Sequence, residues 1–401
     1  MAWLSSLFEK RNLNNPSTPL SAPADWLWDA FGARKATTGV RVTPENALET
    51  TTVWAAVRMI SSTVATLPLV TYRHTDAGKE RAREHPVYDL LHSRPNPEMS
   101  SFIWREMTMA HLLLYGNAYA EIERNGRGDP VALWPLFPTN VRWERIGGEK
   151  VYIVRVEGQE VPLPAENILH IPGFSLDGHT GLFPIDLARN SIGLAKATEE
   201  FGASFFGNGA APSGVLTHPG KLGPEGAANL RESWQKLYGG LSNAQRVAIL
   251  EEGMQWNPLG VPPEHAQFLE TRKFSVSEIA RIFLIPPHLI GDLERATFSN
   301  IEHQSIQYVT HCIEPWTRRI EQEINYKLFD DRSHFAEFVL EGLLRGDSAA
   351  RSAYYREMVN IGALTINEVR ELENMNRIEG GDTPRVPLNT APLSGDGKEA
   401  A

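Results

Sequence analysis

The chain has 401 residues, room for two to three domains of ordinary size, with 42% hydrophobic and 22% charged residues. That balance supplies a sizeable core and excludes wholesale disorder, a collagen-like repeat and a pure coiled coil. A net charge of −10 and the lack of a long Lys/Arg run speak against a tight nucleic-acid binder, and the single cysteine, Cys312, excludes an intrachain disulfide and a cysteine-built zinc site.

Residues 1–10 lack a basic region and a small-residue cleavage site, so they do not read as a secretory signal. Residues 12–26, rich in Asn, Pro and Ser, read as an extended arm. Thr43 caps a helix with Pro44 at its first position, expected to run to about residue 65. The apolar stretch 53–70 is broken by Arg58 and ends near Pro68, too interrupted for a membrane span. A strand at 69–73 and a short helix at 85–92 follow. Ser100 or Ser101 then caps a helix that ends at Gly116.

Between residues 117 and 172 the pattern changes to short β runs at 119–123, 131–136, 141–145, 151–156 and 168–171. Turn residues such as Asn125-Gly126 and Gly147-Gly148 separate them, which predicts a mostly antiparallel meander. Residues 185–208 return to helical spacing, with Ile185, Ala188, Ile192, Ala195, Gly202 and Phe206 on one stripe. A compact insert comes next: strands at 214–217, 247–250 and 254–256, and a helix at 224–241. A helix over 264–285 carries Leu269, Val276, Ile279 and Phe283, and Pro286-Pro287 stops it. The last long helix, 298–329, has Ile301, Val309, Cys312, Trp316, Ile320 and Leu328 as its stripe. Pro315 lies inside it and is expected to kink it. Arg319 with Glu323, and Glu323 with Lys327, are spaced for intrahelical ion pairs. Two short helices over 347–378 follow, the second with Thr365 and Glu368 as a capping box, and the composition from residue 380 onward reads as a disordered tail.

No Walker A sequence, no GxGxxG after a strand, no HExxH and no GxSxG occurs. The 12 histidines are spaced too widely along the chain for a local metal motif, and the adjacent acidic pairs read as solvated faces. Arg127-Gly128-Asp129 falls in a hairpin turn. No catalytic residue, cofactor or metal ligand is assigned.

Several stretches in fixed order carry a family resemblance. They are Pro95-Asn96-Pro97, Leu113-Leu114-Tyr115-Gly116-Asn117-Ala118-Tyr119, Leu133-Trp134-Pro135-Leu136-Phe137-Pro138, Phe205-Phe206-Gly207-Asn208-Gly209, Ile285-Pro286-Pro287-His288-Leu289-Ile290-Gly291 and Ala296-Thr297-Phe298-Ser299-Asn300-Ile301-Glu302. On these the chain resembles the portal proteins of tailed double-stranded DNA bacteriophages, in the branch of long-tailed phages and prophages.

The resemblance implies an α+β, multidomain subunit of a ring of about twelve: an α/β wing, a helical stem, an α/β clip insert and a short helical crown. Carried onto this chain, it implies a flexible arm at 1–39, the wing at 40–184, stem helices at 185–211 and 263–290 with the clip at 212–262 between them, a long kinked helix returning to the wing at 298–344, a crown at 345–379 and the tail at 380–401. The tunnel loop falls on Gly291, Asp292, Leu293, Glu294, Arg295, Ala296 and Thr297. Implied partners are further copies of the chain, double-stranded DNA held transiently and without sequence preference, the terminase large subunit, a head–tail connector or adaptor, and the major capsid and scaffolding proteins. No membrane is involved. The implied setting is the capsid portal vertex of a virion assembled in a bacterial cytoplasm. Two other readings compete: a different phage ring or shell component, and a hydrolase whose catalytic residues are dispersed along the chain.

Overall fold

The computed structural model describes residues 35–384, except 77, 208–213, 221–222, 239–252, 259–264, 293–303, 341–342, 344–347 and 374. The chain divides into two compact units, Met1–Phe338 and Val339–Ala401. The expected arm therefore falls mostly outside the described residues. Its last residues are in place, however, because the Thr37 amide donates to Asn190 and Lys35 bridges to Arg41.

Thr43 caps as expected: its hydroxyl accepts from the Asn46 amide while Asn46 Oδ1 accepts from the Thr43 amide. That helix, Pro44–Ala47, lasts only one turn, and a second helix, Thr51–Thr66, starts after a break at Leu48, Glu49 and Thr50. One helix was expected here; two short ones are found. Thr51–Thr66 packs along Ser101–Tyr115; Val53, Val57, Ile60 and Val64 are buried on the first helix and Met109 and Leu112 on the second. Ser100 is the cap of the latter helix.

Arg105, buried in this pair, holds two helix ends. Its Nη2 and Nε donate to the Ala65 carbonyl at 2.8 and 3.3 Å, and its Nη1 donates to the Leu91 carbonyl at 3.1 Å. Ala65 is in the last turn of Thr51–Thr66 and Leu91 in the last turn of the helix Pro86–His92. Both carbonyls lack an intrahelical donor and sit at the negative ends of helix dipoles, so a cation suits them. Burial lowers the Arg105 pKa to about 10, which leaves it charged at neutral pH.

Three three-stranded antiparallel sheets follow from the β runs. In the first, β1 (Leu69–Thr75) lies between β2 (Gly78–Arg81) and β11 (His334–Phe338), with Leu69 opposite Phe338. In the second, β3 (Asn117–Arg124) lies between β4 (Pro130–Leu136) and β8 (Ile168–Pro172). The third, β5 (Val141–Ile146), β6 (Glu149–Val156) and β7 (Gln159–Pro164), is inserted between β4 and β8. The expected single meander is thus two sheets: β3 takes β8 on its second edge, and β5, β6 and β7 pair among themselves rather than with β4. Strand β7 was not among the expected runs; it carries Pro162 and Pro164 on a sheet edge, where a missing donor is tolerated. Arg127-Gly128-Asp129 sits in the β3–β4 turn, whose amides bond to Asn125 Oδ1.

The two sheets meet around Tyr119, Val141, Tyr152, Val154 and Ile168. At that joint His170 is buried and stacked on Tyr119 at 4.3 Å between ring centres. Its Nε2–H donates to Asn117 Oδ1 and its Nδ1 accepts from the Tyr152 hydroxyl, both at 3.0 Å. The remaining side-chain bonds of Asn117 fix this arrangement: Oδ1 also accepts the Gly181 amide, and Nδ2 donates to the Gly181 and Tyr115 carbonyls. Beside it, Gly116 ends the preceding helix in the left-handed region at φ +71, and an added Cβ there would lie 1.9 Å from the Leu182 carbonyl oxygen. Three backbone segments, at Gly116, Gly173 and Gly181, touch directly.

The region after β8 holds a helix turn, Pro184–Leu187, then Arg189–Gly207. The expected continuous helix is broken at Ala188, although Ile185, Ala188, Ile192, Ala195 and Gly202 are buried on one stripe as expected. Phe206 lies among side chains outside the described set. In the insert, β9 (Gly214–Thr217) pairs antiparallel with β10 (Gln255–Pro258), and the helix Pro224–Tyr238 lies between them in sequence. The expected strand at 247–250 lies outside the described residues.

After the helix His265–Ile282, the last long helix has a π-helical turn, Tyr308–Ile313, followed by a regular segment, Glu314–Leu328. Pro315 stands just after that turn, whose wider winding relieves the pressure a proline places on the carbonyl four residues back. The extra residue also rotates the buried face. Val309 and Cys312 lead into Ile313, Thr317, Ile320, Glu321, Ile324 and Leu328, and Trp316 drops to the margin of the core. The expected Arg319–Glu323–Lys327 ladder is replaced by crossings to other segments. Arg319 donates to the Pro172 and Gly173 carbonyls, and Lys327 to the Ala165 carbonyl. Glu321 is buried and accepts the Phe338 amide, and Asn325 bonds both polar groups of Ala336, so side chains of the helix cover the open edge of β11.

In the second unit, the helices Ser348–Asn360 and Ile366–Leu372 are present, and Thr365 and Glu368 form the expected capping box. Gly380 and Gly381 belong to the fold rather than to a disordered tail. Asn367, fully buried, accepts the Ile378 amide and donates to its carbonyl, while its own amide bonds to the Gly381 carbonyl.

Replacing Arg105 with Met is expected to cost about 3 kcal/mol in urea unfolding, since two buried carbonyls lose their donor. His170 gives a pH signature. Desolvation, aided by Lys150 and Lys327, depresses its folded pKa to about 3, against an ordinary value of 6.5. Its stabilising contribution is full above pH 6.5 and is lost as pH falls toward 3; between pH 7 and 4 that withdraws roughly 3 kcal/mol. Urea midpoints across this range are expected to fall steeply for the parent chain and less steeply for His170→Gln.

Candidate functional site

The segment singled out from sequence, Gly291 to Thr297, follows the helix His265–Ile282, so its geometry begins with how that helix stops. The prolines do not stop it. The helix ends at Ile282 in a Schellman turn: the Leu284 amide donates to the Arg281 carbonyl at 3.2 Å and the Ile285 amide to the Ala280 carbonyl at 3.0 Å. Leu284 occupies the left-handed position at φ +53, where glycine is the usual residue, and its side chain is 63% exposed. Phe283 and Ile285 on either side are buried.

Pro286 and Pro287 instead open a 3-10 turn, Pro287–Ile290, with Pro287 at its first position. Gly291 closes it at φ +91, a conformation that favours glycine, and the Asp292 amide returns to the Pro287 carbonyl at 3.0 Å. Gly291 and Asp292 are therefore positioned by a double turn. Leu293, Glu294, Arg295, Ala296 and Thr297 lie outside the described residues.

The described chain resumes at Gln304, and the two sides of the tether are joined there: His288 Nδ1–H donates to Gln304 Oε1 at 2.7 Å. The far side is anchored in turn. Tyr308 donates to Thr63 at 3.2 Å, and the Cys312 thiol points at the Phe283 carbonyl, 3.4 Å away. Burial pushes the Cys312 pKa up to about 12, so this thiol packs rather than reacts. Sequence reasoning singled out Gly291 to Thr297 but missed His288, Gln304 and Tyr308. Their pairings join residues 16 and 245 positions apart, which no periodicity signals.

Together these elements line a groove of about 850 Å³, with Lys273, Phe274, Arg281, Leu284, His288 and Asp292 among its walls. Its chemistry is mixed: aromatic and aliphatic surface beside cations and a carboxylate.

The triad-like neighbours Asp331, Ser333 and His334 are a local turn. Ser333 Oγ and both Asp331 oxygens approach the same ring nitrogen, Nδ1, whereas a relay needs the nucleophile and the acid on opposite nitrogens. Bonds led by the Ser333 hydroxyl hold the Asp331 carboxyl down at about 2. Among the described residues, no three His, Cys, Asp or Glu side chains are grouped to hold a metal ion, and no helix is long and apolar enough to cross a membrane.

Known proteins share this layout. The family model of the phage portal protein matches residues 51–374. The probable portal protein of Streptomyces phage phiC31 is 37% identical over 372 residues, covering 88% of this chain and 81% of the relative. The portal protein of Enterobacteria phage HK97 is 36% identical over 363 residues, covering 88% and 85% respectively. Among solved structures, the neck of an empty GTA particle, computed with C6 symmetry, shares the fold with a TM-score of 0.59 at 24% identity, covering 91% of this chain and 98% of that one. With the family model spanning most of its length and two portal relatives above one-third identity, the chain belongs to the phage portal protein family.

Proposed function

We propose that this portal chain closes into a ring of about twelve copies at one capsid vertex, through which double-stranded DNA is packaged and ejected. The observation that supports the reading most is the helix pair. Arg189–Gly207 and His265–Ile282 pack together with the β9–β10 insert between them in sequence; Phe201 and Phe274 on the pair, and Leu187 just before it, are 55%, 58% and 67% exposed. Apolar helix surface on that scale marks a place where another molecule sits.

In this reading residues 40–184 act as the wing, 185–211 and 263–290 as the stem, 212–262 as the clip, 298–344 as the segment returning to the wing, its helix ending at Leu328 and β11 following, and 345–379 as a short crown. The loop 291–297 lines the narrow part of the tunnel, with the Pro287–Ile290 turn and the His288–Gln304 bond as its rigid base. A charge of −10 per chain, roughly −120 per ring, suits a conduit, because phosphate contacts to Lys and Arg would make DNA stick rather than slide. The work of translocation falls to a terminase large subunit docked on the ring. A head–tail connector follows on ejection, and the major capsid and scaffolding proteins surround the ring during assembly.

Native mass spectrometry and negative-stain microscopy of concentrated protein are expected to give closed rings with a central hole; a strictly monomeric chain at every salt concentration would overturn the proposal. Shortening residues 292–296 is expected to leave ring formation intact while packaging or retention of DNA in reconstituted heads falls. Unchanged packaging and retention would remove the tunnel role from this loop and leave the ring standing.

A further inference from the structure

We propose that neighbouring copies meet through two unlike faces of this helix pair: the row Leu187, Leu194 and Phe201 of one copy seats in the groove along the His265–Ile282 helix of the next. This rests on the ring reading and adds which side chains touch.

Both faces follow the spacing by which one helix lies along another. On and just before Arg189–Gly207, the row buried inside the protomer is Ala188, Ile192, Ala195 and Gly202. A different row, Leu187, Leu194 and Phe201, recurs every seven residues, with Asn190, Ala197 and Ser204 three positions after each. Leu187 and Phe201 are exposed, and Leu194 and Ala197 are half-buried. Among the described side chains of His265–Ile282, the buried positions are Ser275, Ile279 and Ala280, followed by Phe283 past its end. The groove is walled by Glu270, Lys273, Phe274, Ser277, Arg281 and Leu284, again spaced three and four apart. None of the first row lines the groove, so the protomer does not fill its own groove with it. Two unlike faces on one molecule, each with helical spacing, make a head-to-tail contact, the kind that generates rings.

Charge favours a second copy as the occupant. Within the protomer Glu199 and Arg272 approach to 4.0 Å, which sets those two residues at one level of the pair. One position further along each helix, Glu200 lies beside the exposed row and Lys273 on the groove wall, both exposed. A second copy laid alongside at the same height brings its Glu200 to this Lys273, repeating between protomers the acid–base match made inside one. Leu284 adds an independent sign. A leucine held in a left-handed position with its side chain mostly in water is strain without return in the lone protomer; burial against a neighbour gives it a use.

At that register Ala197 of one copy lies within about one helical turn of Ser277 of the next. Cysteines placed at Ala197→Cys and Ser277→Cys test this, because both replace small side chains. The native Cys312 is buried with its pKa pushed up to about 12, so it does not compete. Rings are oxidised, or treated with a short bis-maleimide, and run on denaturing gels without reductant. Rings co-assembled from the two single variants are expected to give covalent dimers and nothing larger, and rings of the double variant a ladder of multiples up to the closed ring. Thermal melting of each variant checks that the fold is kept. Rings that are normal in the microscope but yield only monomer bands, or a double variant that closes only within its own chain, would overturn the inference and leave the ring reading intact. If the parent chain itself forms no rings, the ring reading falls and this contact falls with it.

Discussion

The guanidinium of Arg105 sets where two helices end, and much of the first unit is laid out from those ends. At Ala65 it terminates Thr51–Thr66, and the chain passes through Leu67 and Pro68 into β1. Strand β1 is the partner that holds β11, and β11 is held on its other edge by Glu321 and Asn325 of the last long helix. At Leu91 the same group terminates Pro86–His92 and releases the chain toward Asn96, whose side chain bonds the Leu133 carbonyl. One buried cation, satisfied by backbone carbonyls instead of a carboxylate, thus connects the helical layer to two sheets. A salt bridge would have oriented one acid; carbonyls at two helix ends orient two whole elements.

The local parts of this architecture were legible in the sequence because their causes are local. Thr43, Ser100 and Thr365 cap within three residues, Asn125 organises a turn within four, and Gly116 marks a left-handed stop. The parts that were not legible depend on residues far apart. Strand β11 exists because β1, more than 250 positions earlier, offers it an edge, and β7 survives two prolines only because β6 pairs with it from one side. The π turn arises where a proline must be accommodated inside a packed helix, and it rotates the buried face that periodicity had assigned to Trp316. Charges misled for the same reason: Arg319 and Lys327 have good intrahelical partners by spacing, yet carbonyls on neighbouring segments take them.

At the candidate site the boundary at Gly291 was readable, since a glycine after two prolines predicts a turn. The means by which the turn is held was not. A leucine in the position usually given to glycine, and a histidine reaching across the tether to a glutamine, leave no sequence signature. The groove these residues create belongs to a protein whose relatives are portal proteins, and its walls mix the aromatic, aliphatic and charged groups of a contact between macromolecules rather than a convergent set of polar groups around a small substrate.

The junction at Gly116, Gly173 and Gly181 has a consequence for repetition. Backbone there meets backbone with no side chain between, so the joint has no rotamers to choose among and no methyl group to repack. Its angle is fixed by peptide geometry, one of the stiffest elements in a protein. In an object built by rotating one part many times about an axis, an angular error in the part is multiplied by the number of copies before the last meets the first. A joint made of main chain alone keeps that tolerance small, as a machined face does where a gasket would creep.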